Sequence, residues 1–421
     1  MTFKKHILAT VAILATLSAS AGAETLDSSL QAALAFNPKL VHAQLGVQIS
    51  QSQTEQAKAQ KRGRLDATAS MGFNEYDGYS AVAPKSLMRP RSAGLSFTLP
   101  LYTGGRLEHA IDAAKLGETS SLALEENARQ QVLLSAGGAF LNVAHAMDLL
   151  ALAQSQHGLL NKELAQANAE LKAGIRTKTD VAQAQARLSG AQAAIDQAYA
   201  SLQEARANFE AVTGRAFEGA PALSVLSFDG RASEYVSQVL AQNPLVRANQ
   251  AQVAQAKETV ASVRAQSRPT INLTAGTSMD RQLNPVLARE SSQSIGLQIS
   301  IPIYEGGLVN ARTSEASLSA RAAQASMDSL VLELKAQAVG AWESYQGIVA
   351  RERSLADQVA AAEVAVEGAR QEAKAGTRTL LDVLNAEQEL LDARVAKTGA
   401  EYEKAATTLR LRALAGQLQV N

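Results

Sequence analysis

The chain has 421 residues, with 40 basic and 40 acidic side chains and no cysteine. That charge balance points away from a nucleic-acid partner, and the missing thiols exclude disulfides, thiolate metal sites, a cysteine nucleophile and a lipidated N-terminal cysteine. Aromatic residues make up only 4% and no proline lies between Lys115 and Pro221, a composition suited to long helices rather than to a compact enzyme core.

Residues 1–23 read as a signal peptide. Lys4 and Lys5 precede an apolar run from Ile7 to Leu17, and Ala21 and Ala23 suit cleavage before Glu24. The run is shorter than the ~20 residues that a spanning helix needs, so export is expected. Helical spacing follows from about Leu26 to Arg64, broken at Asn37-Pro38. Leu65, Ala67, Ala69, Met71 and Phe73 then alternate with polar or small residues, and Ala93, Leu95, Phe97, Leu99 and Leu101 repeat that period. Strands are expected at 65–77 and 92–101.

From Gly104-Gly105 a helical pattern continues to about Lys172, a rod of ~100 Å at 1.5 Å per residue. After the break at Ala173-Gly174, a helix returns from about Thr177 to Val212. A non-helical equatorial linker, 215–232, leads to a helix expected from about Ser233 to Gln266, which holds Asn243-Pro244 as the counterpart of Asn37-Pro38. Strands are expected at 269–279 and 292–303, where Ile295, Leu297, Ile299, Ile301 and Ile303 form the cleanest apolar row. Helices from Gly306 to Lys374 and from Thr379 to Ala415 complete the pattern, with a short tail at 417–421.

Two motifs occur twice. Lys172-Ala173-Gly174-Ile175-Arg176-Thr177 with Asp180-Val181 returns 202 residues later as Lys374-Ala375-Gly376-Thr377-Arg378-Thr379 with Asp382-Val383. At the same offset Pro100, Tyr102, Gly104 and Gly105 return as Pro302, Tyr304, Gly306 and Gly307, and Phe140 as Trp342. A long-period duplication means two copies of one large unit, here 24–214 and 233–416. The two short helices of each half together match the long one, so the chain descends, turns at tips near 173–180 and 375–382, and returns in two stacked pieces. Phe140 and Trp342 are expected to pack between helices.

The four strands present one greasy and one polar face and suit an outer-membrane crossing of ~9 to 11 residues; a sheet covered by helices is the alternative. Four strands cannot close a barrel, and lipid does not tolerate an open edge, so one protomer cannot span a membrane alone. A dimer would supply eight strands and a trimer twelve, and the residues by themselves do not choose. A periplasmic coiled-coil adaptor or structural scaffold of an envelope complex is the competing function; it accounts for the helices but not for the strands.

The duplicated helix, strand, strand, helix units, the Pro-Tyr-Gly-Gly exits and the string from Gly376 through Leu380, Leu381 and Leu384 to Asn385 resemble the TolC family of outer-membrane export channels. The resemblance spans essentially the whole mature chain. It implies a mainly α fold with a small membrane β part: a homotrimer whose 12-stranded outer-membrane β-barrel is continuous with a 12-helix periplasmic α-barrel. The implied function is a passive exit duct for type I protein secretion, tripartite small-molecule efflux, or both, with the string from Gly376 closest to the type I branch. Its implied partners are outer-membrane lipid, a periplasmic adaptor (membrane fusion) protein, an inner-membrane ABC or RND-type pump, and the exported protein or small molecule.

Residue by residue, the resemblance implies that Gly174, Arg176, Thr177, Gly376, Thr377, Arg378 and Thr379 form adaptor-docking hairpin tips. Asp382 and Asn385 would line a pore iris that governs cation selectivity, and Asp180 with Arg378 would tether the gate closed. The best-known family pattern has a second aspartate where this chain has Asn385, which implies weaker divalent-cation block. A tyrosine that reinforces closure is replaced by Ala373, which implies an iris that opens more easily. On helix-end chemistry alone, Gly174 and Gly376 suit C-terminal breaks, while Thr177 and Thr379 suit N-caps with Asp180 and Asp382 in the first turn; this is sufficient without a pore role. The chain has no phosphate loop, zinc-protease helix or nucleophile elbow, and His42, His109, His145 and His157 lack metal spacing. No enzymatic activity, cofactor or metal is expected, so transport energy must come from partners.

Overall fold

The computed structural model describes residues 24–76, 86–222, 228, 230–281 and 289–420. The expected signal peptide, 1–23, lies outside the described residues, as do Asp77, 223–227 and 229 of the linker, and Asn421. The chain opens with β1 (Glu24–Thr25), α1 (Leu26–Phe36) and α2 (Pro38–Ala59). The strands β2 (Arg64–Met71), β3 (Asn74–Tyr76), β4 (Ser86–Met88) and β5 (Arg91–Tyr102) follow, then α3 (Arg106–Lys172) and α4 (Lys178–Thr213). The second half holds β6 (Pro221–Ala222), α5 (Ala232–Gln242), α6 (Pro244–Arg264), β7 (Thr270–Arg281), β8 (Arg289–Ser300), α7 (Leu308–Lys374) and α8 (Leu380–Leu414).

Helices α3 and α7 each have 67 residues, or about 100 Å. α4 packs against the lower part of α3, with α8 on its other side and α7 beyond α8; in the upper part α3 lies between α2 and α6, with α7 beyond α6. The splices between stacked helices are chemically alike in both halves. Pro38 and Pro244 remove the N–H that would continue the preceding helix. Asn37 accepts from the Lys39 amide at 3.1 Å and donates to the Val212 carbonyl at 3.2 Å, near the end of α4. Asn243 accepts from Leu245 at 2.8 Å and donates to the Leu414 carbonyl at 2.9 Å, the last residue of α8. Each asparagine therefore starts one helix while satisfying an orphan carbonyl of another. Asn243 also corrects the expectation of one helix from Ser233 to Gln266, which is two helices here followed by a short 3-10 turn.

The main core sits at the equator. Phe140 of α3, Phe209 of α4 and Phe217 of the linker pack together, the Phe209 and Phe217 rings edge to face at 5.0 Å. In the second half Trp342 stacks on Tyr235 at 6.0 Å with Phe228 beside both. The repeat-related aromatics are thus packing residues. The described parts of the linker and tail are tied to the helices. β1 pairs parallel with β6, buried Glu24 accepts from Arg215 and Ser29, and Leu418 exchanges two hydrogen bonds with the Gln130 side chain.

The sheet runs β2-β5-β7-β8 with every neighbour antiparallel. Its register aligns Leu65, Phe97, Ala275 and Ile295 in one row and Leu99, Leu273 and Leu297 in the next. Intervening rows hold small or polar side chains, such as Asp66, Ser96, Gly276 and Ser294. The apolar face is uncovered: Leu65, Met71, Ile295, Leu297 and Ile299 are 61–81% exposed. A helix-covered sheet is therefore not what the chain builds. In addition β3 and β4 pair as a short separate hairpin.

Candidate functional site

Both tips are built from the same helix-end chemistry. Gly174 and Gly376 take φ of 78° and 80°, which glycine enters at no steric cost. The Ile175 amide reaches the Glu170 carbonyl and the Thr377 amide the Glu372 carbonyl, at 2.9 and 3.0 Å; these long-range closures, with a shorter one at each glycine, end the descending helices. Thr177 and Thr379 then cap the returning helices in reciprocal boxes. The Thr177 hydroxyl accepts from the Asp180 amide at 3.2 Å while Asp180 accepts from the Thr177 amide at 2.9 Å; the second copy has 3.3 and 3.0 Å. The Thr177 amide and hydroxyl hold the Asp180 carboxyl below the usual carboxylate range. The Thr379 hydroxyl and amide do the same for Asp382.

The arginines turn inward on their own hairpins. Arg176 Nε lies 2.7 Å from Glu170, and Arg378 Nε lies 2.5 Å from Glu372. The expected Asp180–Arg378 tether is therefore not made within one chain, because each partner is engaged locally. Glu170 and Glu372 are residues that motif reading passed over, although they sit at the same 202-residue offset as their arginines.

The two tips meet through an apolar seam. Leu380 and Leu384 of α8 pack on Leu160 and Ala167 of α3 and Ala184 of α4, all buried. Above it, Glu387 is 1% exposed and receives two hydrogen bonds from Arg370, at 2.8 and 3.2 Å. Burial pushes its carboxyl pKa up despite that partner, and Glu163 on α3 adds to the rise. Its Oε2 atom meets no donor among the described residues. Asn385, exposed one turn beyond Asp382, accepts from Arg187 of α4 at 3.0 Å. Neither Glu387 nor Arg187 was singled out by sequence, and Arg187 has no copy in the second repeat, where Glu389 stands.

At the opposite end the two strand-to-helix exits differ. β5 continues through Pro100, by way of an irregularity, to Tyr102, which pairs with Ile271. Gly104 has φ of 66°, and Arg268 donates to its carbonyl at 2.8 Å. The expected strand to 303 instead stops at Ser300, and Ile303 and Tyr304 are 94% and 89% exposed. Both exits lean on β7 alone: it reaches Tyr102 of β5 through Ile271, but begins at Thr270 opposite Ser300 and so offers β8 no partner at Ile301-Pro302, where the proline also lacks an N–H. Gly306 and Gly307 keep positive φ without close neighbours. His109, in the first turn of α3, pairs with Glu258 of α6 at 2.7 Å; among the described residues no cluster of metal-ligating side chains forms.

Residues 29–215 and 235–417 match the family described as outer membrane efflux protein. The outer membrane efflux protein BepC of Brucella suis biovar 1 is 28% identical over 387 residues, covering 90% of this chain and 82% of the relative. The outer membrane protein TolC of Escherichia coli K12 is 23% identical, covering 96% and 85%. The solved structure of the outer membrane protein VceC of Vibrio cholerae agrees with a TM-score of 0.82 at 21% identity, over 93% of this chain and 96% of that one. Two duplicated units, rods of 67 residues and a bare apolar sheet agree with these matches: the chain belongs to the outer membrane efflux protein family, whose members are outer-membrane channels and not enzymes.

Proposed function

We propose that three copies of this chain form a single duct, with a twelve-stranded barrel in the outer membrane and twelve helices lining a periplasmic tunnel. The observation that carries this reading is the four-stranded sheet with an exposed apolar face and open edges at β2 and β8. β2 and β8 are antiparallel, so β8 of one copy can pair with β2 of the next and leave no edge in lipid. The lateral flanks support the same assembly. α2 exposes Val41, Leu45 and Ile49 on one side, and α7 exposes Leu318, Leu332 and Val364 on the other. The repeat units are 24–214 and 233–416, each contributing one tip.

The duct is a passive exit for tripartite small-molecule efflux or type I protein secretion, docked by a periplasmic adaptor and an inner-membrane ABC or RND-type pump. The adaptor meets the tips at Gly174, Arg176, Thr177, Gly376, Thr377, Arg378 and Thr379, all of which lie at the free ends of the hairpins. Asp382 and Asn385 line the constriction there. The Asp180–Arg378 tether acts between neighbouring copies, where Arg378 exchanges Glu372 for the neighbour's aspartate; with Arg378 half exposed, each such pair contributes about 0 to 1 kcal/mol.

Heat-modifiable trimer bands in an outer-membrane fraction are the expected result, and a soluble periplasmic protein would overturn the reading. Gene deletion followed by the secreted proteome and by detergent and antibiotic sensitivity separates the two transport tasks. Raised sensitivity marks efflux; loss of one exported protein with unchanged sensitivity marks secretion. In single-channel records Asp382→Ala should lose block by periplasmic divalent cations, and Arg378→Ala should raise conductance. Unchanged block in the first removes the constriction assignment, and unchanged conductance in the second removes the tether.

A further inference from the structure

Among the described residues Arg187 has a neutral partner and makes no ion pair: its Nη2 donates to the Asn385 amide oxygen at 3.0 Å. Asp382 stands three positions before Asn385, about one turn away on the same side of α8. Arg187, Leu381 and Gln388 line one groove of about 1360 Å³ between α3, α4 and α8. On the remaining sides of α8, Glu387 and Arg394 are taken up by Arg370 and Glu363 of α7. Arg187 therefore stands on the groove wall with a neutral partner, about one turn of α8 from Asp382, whose carboxylate caps α8 through Thr379; the groove's lining acid, Glu204, lies farther along α4.

We propose that Arg187, held by Asn385, sets the ion selectivity of the tunnel entrance jointly with Asp382, so that the entrance admits anionic as well as cationic solutes. The inference rests on the reading that Asp382 lines the constriction. Asn385 then has a purpose beyond the loss of a second carboxylate, because its neutral oxygen orients the guanidinium without cancelling its charge. In a threefold assembly, three positive charges would sit beside Asn385 and three negative ones about one turn, ~5 Å, along α8 from it, a rise shorter than the ~8 Å Debye length at physiological salt. Both sets act on the same ion, and their fields largely offset. Removing the positive set should raise cation over anion permeability about fivefold.

The test is the reversal potential of the full-length protein in planar bilayers under a potassium chloride gradient. Wild type should discriminate little between the two ions. Arg187→Gln should shift the potential toward cation selectivity, Asp382→Asn toward anion selectivity, and Arg187→Lys should stay near wild type. Asn385→Asp, which cancels the guanidinium charge, should shift selectivity toward cations about as far as Arg187→Gln does, and the two substitutions together should shift it further. If Asp382→Asn shifts the potential and Arg187→Gln does not, the role of Arg187 is refuted while the constriction reading stands. If neither shifts it, both fall. A Lys variant that behaves like the Gln variant in a conducting channel would also overturn the proposal, since the charge is then not what acts.

Discussion

Arg370 and Glu387 provide the sharpest test of what holds the second hairpin together. Arg370→Met removes both hydrogen bonds and, among the described residues, the positive charge that pairs with the Glu387 carboxylate. Breaking a buried pair from one side costs about 3–5 kcal/mol. Since Arg370 is one-third exposed, the low end applies, about 3 kcal/mol at pH 8. The sign with pH follows from burial. Glu387 titrates above the ordinary value of 4.5 even with its partner, and losing Arg370 raises it further. Stability linked to such a group is fully present below 4.5 and lost as pH rises through the raised value. The mutant should therefore approach wild type near pH 5 and fall away toward pH 8. Arg370→Met with Glu387→Leu should recover to within about 1 kcal/mol, because an apolar pair carries no desolvation cost. Hydrogen exchange of the α8 amides over 380–393, at both pH values, reads the local opening directly. A cost below about 1 kcal/mol at pH 8, or the same cost at both pH values, would refute the reasoning.

Three further outcomes test the scaffold. Gly104→Ala places a methyl 2.5 Å from Arg268 Cβ at a φ of 66°, and should lower thermal stability by about 2–4 kcal/mol, whereas Gly306→Ala meets no neighbour and should cost only the ~1–2 kcal/mol of the backbone conformation. Thr177→Ala and Thr379→Ala each remove a cap and should cost about 1 kcal/mol, read as faster exchange in the first turn of α4 or α8; Thr→Ser should restore protection. Tyr235→Ala should cost about 3–5 kcal/mol and Tyr235→Phe about 1 kcal/mol, because Tyr235 is buried and donates to the Leu411 carbonyl at 3.0 Å. Trp342 is the chain's single tryptophan and stacks on that ring, so its fluorescence in a urea titration reports the transition.

The differences between the two repeat copies carry more functional content than their likeness. The first tip buries its Arg176–Glu170 pair to 18% and 25% exposure, while the second leaves Arg378–Glu372 half exposed. The looser pair belongs to the hairpin that holds Asp382 and Asn385. At the sheet end the asymmetry recurs, with the first exit pinned by Arg268 and the second open at Tyr304.

Much of the architecture is local chemistry and is therefore legible in the chain itself. Glycine in the left-handed conformation, threonine caps three residues before an aspartate, and Asn-Pro breaks set the helix ends, since each depends on residues within a turn of one another. Alternation placed the strands, and the 202-residue offset exposed the duplication. What the sequence could not determine depends on partners far along the chain. β8 stops at Ser300 because its neighbour β7 begins at Thr270, directly opposite, although Ile301 and Ile303 continue the apolar alternation. Arg378 turns to Glu372 because that carboxylate shares its hairpin. Glu387 and Arg187 look like ordinary helix-surface charges until α3, α4, α7 and α8 are brought together. Only packing buries the first and sets the second on Asn385, 198 residues away, since burial and charge pairing are properties of neighbours in space and leave no period in the sequence.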